Sequence, residues 1–144
     1  MRWYNPAVKW LLRSPFHKLI SGSVMLLEVR GVKTGKVIQV PVNFIRIDED
    51  ILVVSRKERT WWRNLREQAK VTLFIERTPM TGLATVYEDA KTVRENFLAM
   101  LQSNQTYRSA LDIQLDGQGQ PDDAAKFDET AEPLVLVRIT HIAD

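Results

Sequence analysis

Six segments of this sequence are rich in β-branched and aromatic side chains, and polar turns separate several of them. Side chains of this kind favour extended strands. A turn containing Gly31 and Gly35 joins the first two segments, and a polar turn at residues 48–50 leads to the third. We therefore predict a six-stranded antiparallel β-barrel in which the last strand pairs with an early one. The segments cover residues 23–29, 37–47, 51–54, 71–75, 83–87 and 134–142.

Helical spacing of apolar residues appears in three further segments, so the fold class is α+β, mainly β, with flanking helices. We predict helices at residues 6–13, 60–69 and 89–103. Asp89 and Thr60 are suitable N-caps, and residues 78–82 resemble a turn. Residues 102–132 are polar and acidic, and there we expect short helices on either side of a mobile connection.

Length and composition favour one soluble domain over residues 1–144. The 144 residues include no cysteine, so any redox chemistry would need a bound cofactor. There is no apolar run of about 20 residues and no secretory signal, so we expect a cytoplasmic protein. The sequence leaves open whether the chain forms a homodimer.

Charge is distributed unevenly along the chain. Residues 1–77 carry 15 Lys and Arg against 7 Asp and Glu, whereas residues 78–144 carry 5 against 11. The acidic half opposes a uniform positive field, so a local anion site fits better than nucleic acid or a membrane. We weighed a single-stranded nucleic-acid platform, but no recognisable RNA motif is present, and we predict no nucleic-acid partner.

The first predicted helix offers an alternative partner. Trp3 and Trp10 with neighbouring basic residues could place it on a membrane surface, although packing across the barrel mouth is the interpretation we favour. The two histidines, His17 and His141, lie at opposite ends of the sequence. We therefore predict no metal site and no Ser-His-Asp triad.

The turn at residues 31–36 is the first candidate binding site. Lys33, Thr34 and Gly35 combine an ammonium group, a hydroxyl donor and backbone amides, a set that suits a phosphate. The alternative is a charged hairpin turn with no ligand. The spacing of a P-loop is absent, so ATP hydrolysis is not expected.

A second basic cluster follows the third predicted strand. It combines cations, polar donors and two adjacent indoles, which suit an anionic aromatic ligand. Neighbouring helical residues point about 100° apart, so we expect at least one indole to line a groove and Trp61 to be the better core residue. The cluster contains Ser55, Arg56, Lys57, Trp61, Trp62 and Asn64.

These motifs resemble the deazaflavin-dependent nitroreductase family, which belongs to the split-barrel flavin-binding superfamily shared with pyridoxamine-phosphate oxidases. The resemblance implies a split barrel and a cofactor, F420 or FMN, that passes a hydride to a small electron acceptor such as a quinone, nitroaromatic or enone. The alternative is a non-catalytic split-barrel protein that binds FMN or another anionic or apolar ligand. The matching segments are residues 30–35, 41–44, Ser55 and 61–65.

The resemblance also implies the residues that bind the cofactor. Two family arginines are replaced by Val32 and Ile38, which predicts weaker F420 binding. No catalytic residue carries over. The implied cofactor-binding residues are Lys33, Thr34, Gly35, Pro41, Ser55, Arg56, Lys57, Trp61, Trp62 and Asn64.

Overall fold

The computed structural model describes residues 24–75 and 78–143. The helix predicted at residues 6–13 and its membrane contact lie outside these described residues. Within the described part of the chain, no helix is long and apolar enough to cross a membrane.

Six antiparallel strands close a barrel in the order β1-β2-β3-β6-β5-β4. This confirms the predicted fold, and β6 pairs with the early strand β3 as expected. β5 neighbours β6 on its other side and completes the closure through β4 and β1. The strands are β1 Val24–Arg30, β2 Val37–Ile47, β3 Asp50–Arg56, β4 Ala69–Ile75, β5 Thr78–Tyr87 and β6 Leu134–Ala143.

Four helical segments flank the barrel in the described residues: a 3-10 helix at Trp61–Leu65, α1 at Ala90–Ser103, α2 at Gln105–Leu111 and α3 at Ala124–Ala131. The predicted N-cap Asp89 is confirmed. Its carboxylate accepts from the backbone and hydroxyl of Thr92, and these bonds hold the pKa of Asp89 below its ordinary value.

Two sequence predictions about local structure are wrong. The helix expected at residues 60–69 ends at Leu65, because Gln68 adopts a left-handed conformation (φ 60°) and β4 begins at Ala69. The turn expected at residues 78–82 is part of β5. Gly82 is a point of close approach there, since an added Cβ would clash with Cγ2 of Ile139.

The polar segment at residues 102–132 contains the expected short helices, α2 and α3. Leu111, Ile113, Phe127 and Tyr107 are its buried anchors. Between the helices, Leu115 and Pro121 form a β-bridge.

β3 is buried on both faces and separates two hydrophobic cores, one inside the barrel and one between the barrel and the helices. Val53 faces the barrel interior with Leu27 and Leu73. Leu52, on the other face, packs with Phe97 beneath the helices. The helical layer therefore covers one outer side of the barrel.

Candidate functional site

The topology brings the predicted binding segments to one end of the barrel. Arg30 pairs with Val37 at the base of the first turn, so this end holds residues 31–36. β3 runs antiparallel to β2 and ends there, at Arg56. The 3-10 helix contacts β1 and β5 and lies across the same end. We call this region the basic end.

Within the described strands, the β2–β3 ladder is short. It joins residues 44–47 of β2 to residues 50–53 of β3. The first half of β2 therefore pairs with β1 alone. Pro41 lies in this half, as expected for a residue without an N–H, and it is buried.

Internal hydrogen bonds fix the shape of the turn. The Gly35 amide donates to Gly31 O at 2.8 Å, and the Gly31 amide donates to Lys36 O at 2.7 Å. The Lys36 amide donates to Thr34 Oγ1 at 3.2 Å. Gly35 has a φ of 72°, which favours glycine. The shape of the turn is thus defined by its own hydrogen bonds.

Two backbone amides of the turn remain available. Among the described residues, the amides of Lys33 and Thr34 have no hydrogen-bond acceptor. The side chains of both residues are exposed. The turn therefore offers fewer donors to a phosphate than the sequence suggested: two adjacent amides, the Thr34 hydroxyl and the Lys33 ammonium group.

Asn64 connects the turn to the 3-10 helix. Its Oδ1 accepts from the Val32 amide at 2.9 Å, and its Nδ2 donates to Trp61 O at 3.0 Å. Both ends of the side chain are engaged by protein groups. Asn64 is consequently a positioning residue for the turn in this structure.

The basic loop after β3 turns its cations in different directions. Arg56 forms an ion pair with Glu58 at 2.9 Å and lines an outer groove of about 370 Å³ beside Leu111 and Leu134. The Lys57 side chain is 49% exposed, and its nearest carboxylate, on Glu132, is 3.9 Å away. Lys57 is therefore the more available cation for a ligand at this end.

Both indoles are buried, which contradicts the expectation that one lines a groove. Trp61 is 8% exposed and Trp62 is 3% exposed. Trp62 Nε1 donates to Arg56 O at 3.2 Å, and the guanidinium carbons of Arg63 and Arg66 lie 5.5 and 5.1 Å from its ring centroid. The second indole is thus covered by neighbouring cations and closes the barrel end.

Ser55 presents a buried polar group to the barrel interior. It is 3% exposed and pairs with Val135, a member of the interior core. Its Oγ has no hydrogen-bond partner among the described residues. Leaving such a group unpaired costs about 1–3 kcal/mol. A ligand hydrogen bond would remove this cost.

Sequence reasoning missed a second polar residue, Asn43. It is 2% exposed, and its side-chain amide also has no partner in the described structure. Asn43 adjoins Phe44, where the β2–β3 ladder stops. Its side chain faces away from the interior, since Val42 and Phe44 belong to the interior core. The sequence signal for this buried polar site was an asparagine within an otherwise apolar strand segment.

Residues 14–115 match the family described as F420H(2)-dependent quinone reductase. The chain belongs to this family. The assignment confirms the predicted resemblance and the enzyme class, an oxidoreductase that depends on F420 or a flavin. A sequence search among curated proteins gives no significant match.

Solved structures share the barrel fold at low sequence identity. A Listeria innocua protein described as a putative pyridoxamine 5'-phosphate oxidase has a TM-score of 0.50 and 16% identity, with 96% of each chain covered. The conserved hypothetical protein Rv2991 from Mycobacterium tuberculosis has a TM-score of 0.50 and 17% identity, and the match covers 84% of this chain and 74% of that protein. A protein from Mycobacterium smegmatis described as an FAD and heme binding protein has a TM-score of 0.51 and 12% identity. This match covers 83% of this chain and 61% of that protein.

The basic end fits the anionic cofactor that the quinone reductase family implies. Two adjacent free amides and two exposed ammonium groups, on Lys33 and Lys57, suit phosphate or carboxylate oxygens. The unpaired Ser55 hydroxyl adds a buried donor. Within the described residues, no group of three His, Asp or Glu side chains could hold a metal ion.

Proposed function

We propose that this protein uses reduced F420, or a reduced flavin, to reduce a small electrophile at the basic end of the barrel. A quinone is the substrate class that the family description supports best, and nitroaromatics and enones have similar electrophilic character. When bound, the cofactor would supply a hydride and leave no requirement for a protein nucleophile. The protein's own contribution is to bind and orient.

The observation that carries this proposal is the pair of free amides at Lys33 and Thr34, held in a turn that is closed by its own hydrogen bonds and by Asn64. Backbone donors that are already aligned lose little entropy when an anion binds. The Lys33 ammonium group adds charge to the same turn, and Lys57 adds a second cation at the same barrel end. An anionic cofactor tail matches this donor set.

Other residues at the basic end have distinct parts in the proposal. The Thr34 hydroxyl accepts from Lys36 N, so its own proton is available to a ligand oxygen. Ser55 Oγ offers a donor from the barrel interior. Trp61 and Trp62 exclude water by closing the barrel end rather than by stacking on a ligand.

We propose that residues 1–144 act as one domain, that the protein works in the cytoplasm and that nucleic acid is not a partner. Association as a homodimer and membrane contact through residues 6–13 remain predictions.

Steady-state turnover tests the proposed reaction. Reduced F420 and reduced FMN would be supplied separately with menadione or a nitroaromatic, and oxidation of each cofactor would be followed by absorbance. We expect protein-dependent oxidation with at least one cofactor. Background rates with both cofactors, in protein shown to be folded, would contradict the proposal and favour non-catalytic ligand binding.

A further inference from the structure

Arg63 is an exposed cation on the 3-10 helix, and no carboxylate neutralises it. Its side chain forms no ion pair and no hydrogen bond in the part of the chain that the structure describes. Two nearby arginines differ in this respect. Arg56 pairs with Glu58 at 2.9 Å, and Arg66 pairs with both carboxylate oxygens of Glu88 at 3.0 Å. The unpaired guanidinium of Arg63 keeps its five N–H donors for a ligand.

Trp62 fixes the position of this guanidinium. The guanidinium carbon of Arg63 lies 5.5 Å from the centroid of the Trp62 ring. The ring is itself held, since it is buried and its Nε1 donates to Arg56 O at 3.2 Å. A cation–π contact restrains the arginine without supplying an acceptor for its donors. Arg63 therefore loses less side-chain freedom on binding an anion than an unrestrained surface arginine would.

Arg63 lies between the two segments that we propose to bind the cofactor. The next residue, Asn64, accepts from the Val32 amide in the turn at 2.9 Å. The preceding residue, Trp62, bonds to Arg56 at the start of the basic loop. A ligand that spans the turn and the basic loop therefore passes beside Arg63.

The charge around Arg63 suits an anion. Glu58 is engaged by Arg56, and Glu67, four residues after Arg63, forms no ion pair with it in the described structure. A planar guanidinium can bind two oxygens of one phosphate or carboxylate through parallel N–H donors. A lysine ammonium group lacks this geometry. Arg63 can therefore orient an anionic group as well as attract it.

We propose that Arg63 is a third cofactor-binding cation, which binds a phosphate or carboxylate of the anionic tail through two N–H donors. The inference rests on the proposed function, because it takes the cofactor tail as the ligand. Lys33 and Lys57 lie on the turn and the basic loop, so the three cations stand on three separate segments. This distribution suits a tail that extends across the barrel end.

Binding of inorganic pyrophosphate tests this role of the arginine without any redox step. Thermal unfolding of the full chain is followed as pyrophosphate is added, and the midpoint should rise because the ligand binds the folded state. Arg63→Gln should weaken pyrophosphate binding by about tenfold or more, since a charge-assisted contact is lost. No stabilisation of the wild type, or equal affinities of the two proteins, would overturn the proposal.

Arg66→Gln is the matched control. It removes a guanidinium that lies 5.1 Å from the same ring centroid but is already paired with Glu88. We expect this variant to bind pyrophosphate like wild type, and a loss equal to that of Arg63→Gln would overturn the binding role. Arg63→Lys keeps the charge without the planar donors and should recover only part of the affinity. Full recovery would contradict the two-donor contact.

Cofactor titration separates this inference from the proposed function. FMN and riboflavin differ by the terminal phosphate, so Arg63→Gln should weaken binding of FMN, or of F420, by about tenfold and leave riboflavin binding unchanged. An equal loss for riboflavin would assign Arg63 to the ring and overturn the proposal. Turnover by the wild type with unchanged cofactor affinity of Arg63→Gln would overturn this inference alone. Pyrophosphate binding that depends on Arg63, with no turnover of either cofactor, would support the anion site and contradict the proposed reaction.

Discussion

Tyr107 has a phenol group that is buried without a hydrogen-bond partner in the described structure. The residue is 1% exposed, and burial raises the pKa of its hydroxyl well above the ordinary value. Its burial among α1, α2 and the outer face of the barrel gives this tyrosine a packing role.

Replacing Tyr107 with Phe should increase stability. An unsatisfied buried hydroxyl costs about 1–3 kcal/mol, so we expect Tyr107→Phe to raise the free energy of unfolding by about 1 kcal/mol. Urea denaturation measures this change. A loss of stability would show that the hydroxyl has a partner.

The same substitution should change the dependence of stability on alkaline pH. The folded state keeps the Tyr107 proton above about pH 10, where the unfolded phenol loses it. The free energy of unfolding is therefore unaffected by this group's titration below about pH 10, and it falls as the pH rises further. Tyr107→Phe should remove that part of the decline, as measured by urea denaturation at pH 9 and 11.

Asn64 tests whether the shape of the turn matters for binding. Asn64→Ala removes the bonds to Val32 N and Trp61 O, so we expect cofactor affinity to fall by about 1–2 kcal/mol. Thr60→Ala is the control, since the side chain of this exposed N-cap residue makes no capping bond. Equal affinities for the two variants would contradict the positioning role of Asn64.

Among the single elements, the local sequence pattern predicted most strands correctly. It failed at two segments whose conformation is set by pairing with another strand. The apolar spacing from Trp61 to Gln68 is helical, yet Ala69 pairs with Ala84 and extends β4 toward the 3-10 helix. Residues 78–82 contain Pro79 and Gly82, which are common in turns. Instead, Pro79 pairs with Phe74 and Gly82 pairs with Val71 of β4, and Gly82 also lies against Ile139 of β6.

Gly82 provides a stability test of this β5–β6 contact. Gly82→Ala would place a Cβ against the fully buried Ile139, so we expect a loss of about 1–3 kcal/mol. Gly117→Ala is the matched control, since nothing lies within 4 Å of its added Cβ. Thermal unfolding should separate the two variants, and equal midpoints would contradict the close approach.

For the molecule as a whole, the apolar runs and turns predicted the six-stranded barrel and the pairing of the last strand with an early one, whereas the full strand order came from the structure. The clustering of the turn and basic loop also agrees with the family pattern. Sequence reasoning could not foresee that internal bonds occupy most amides of the turn, or that both indoles are buried. Those features depend on the 3-10 helix lying across the barrel end, a contact between segments far apart in sequence.

Replacement of two family arginines by Val32 and Ile38 affects the affinity of the whole site. Val32 and Ile38 have exposed apolar side chains, which cannot donate a hydrogen bond to an anion. We therefore expect F420 to bind with a dissociation constant in the micromolar range or weaker, about −8 kcal/mol or less favourable. Fluorescence titration measures it, and nanomolar affinity would contradict the expectation.

Cofactor titration of a charge variant tests the central claim, that an anionic cofactor binds between the turn and the basic loop. Lys33→Ala with Lys57→Ala should weaken binding of F420, or of FMN if that cofactor binds better, by about 2–4 kcal/mol, because two charge-assisted bonds are lost. Arg46→Ala with Lys91→Ala removes equal charge elsewhere and should bind like wild type. Unchanged affinity of the first variant, or equal losses in both, would contradict the claim.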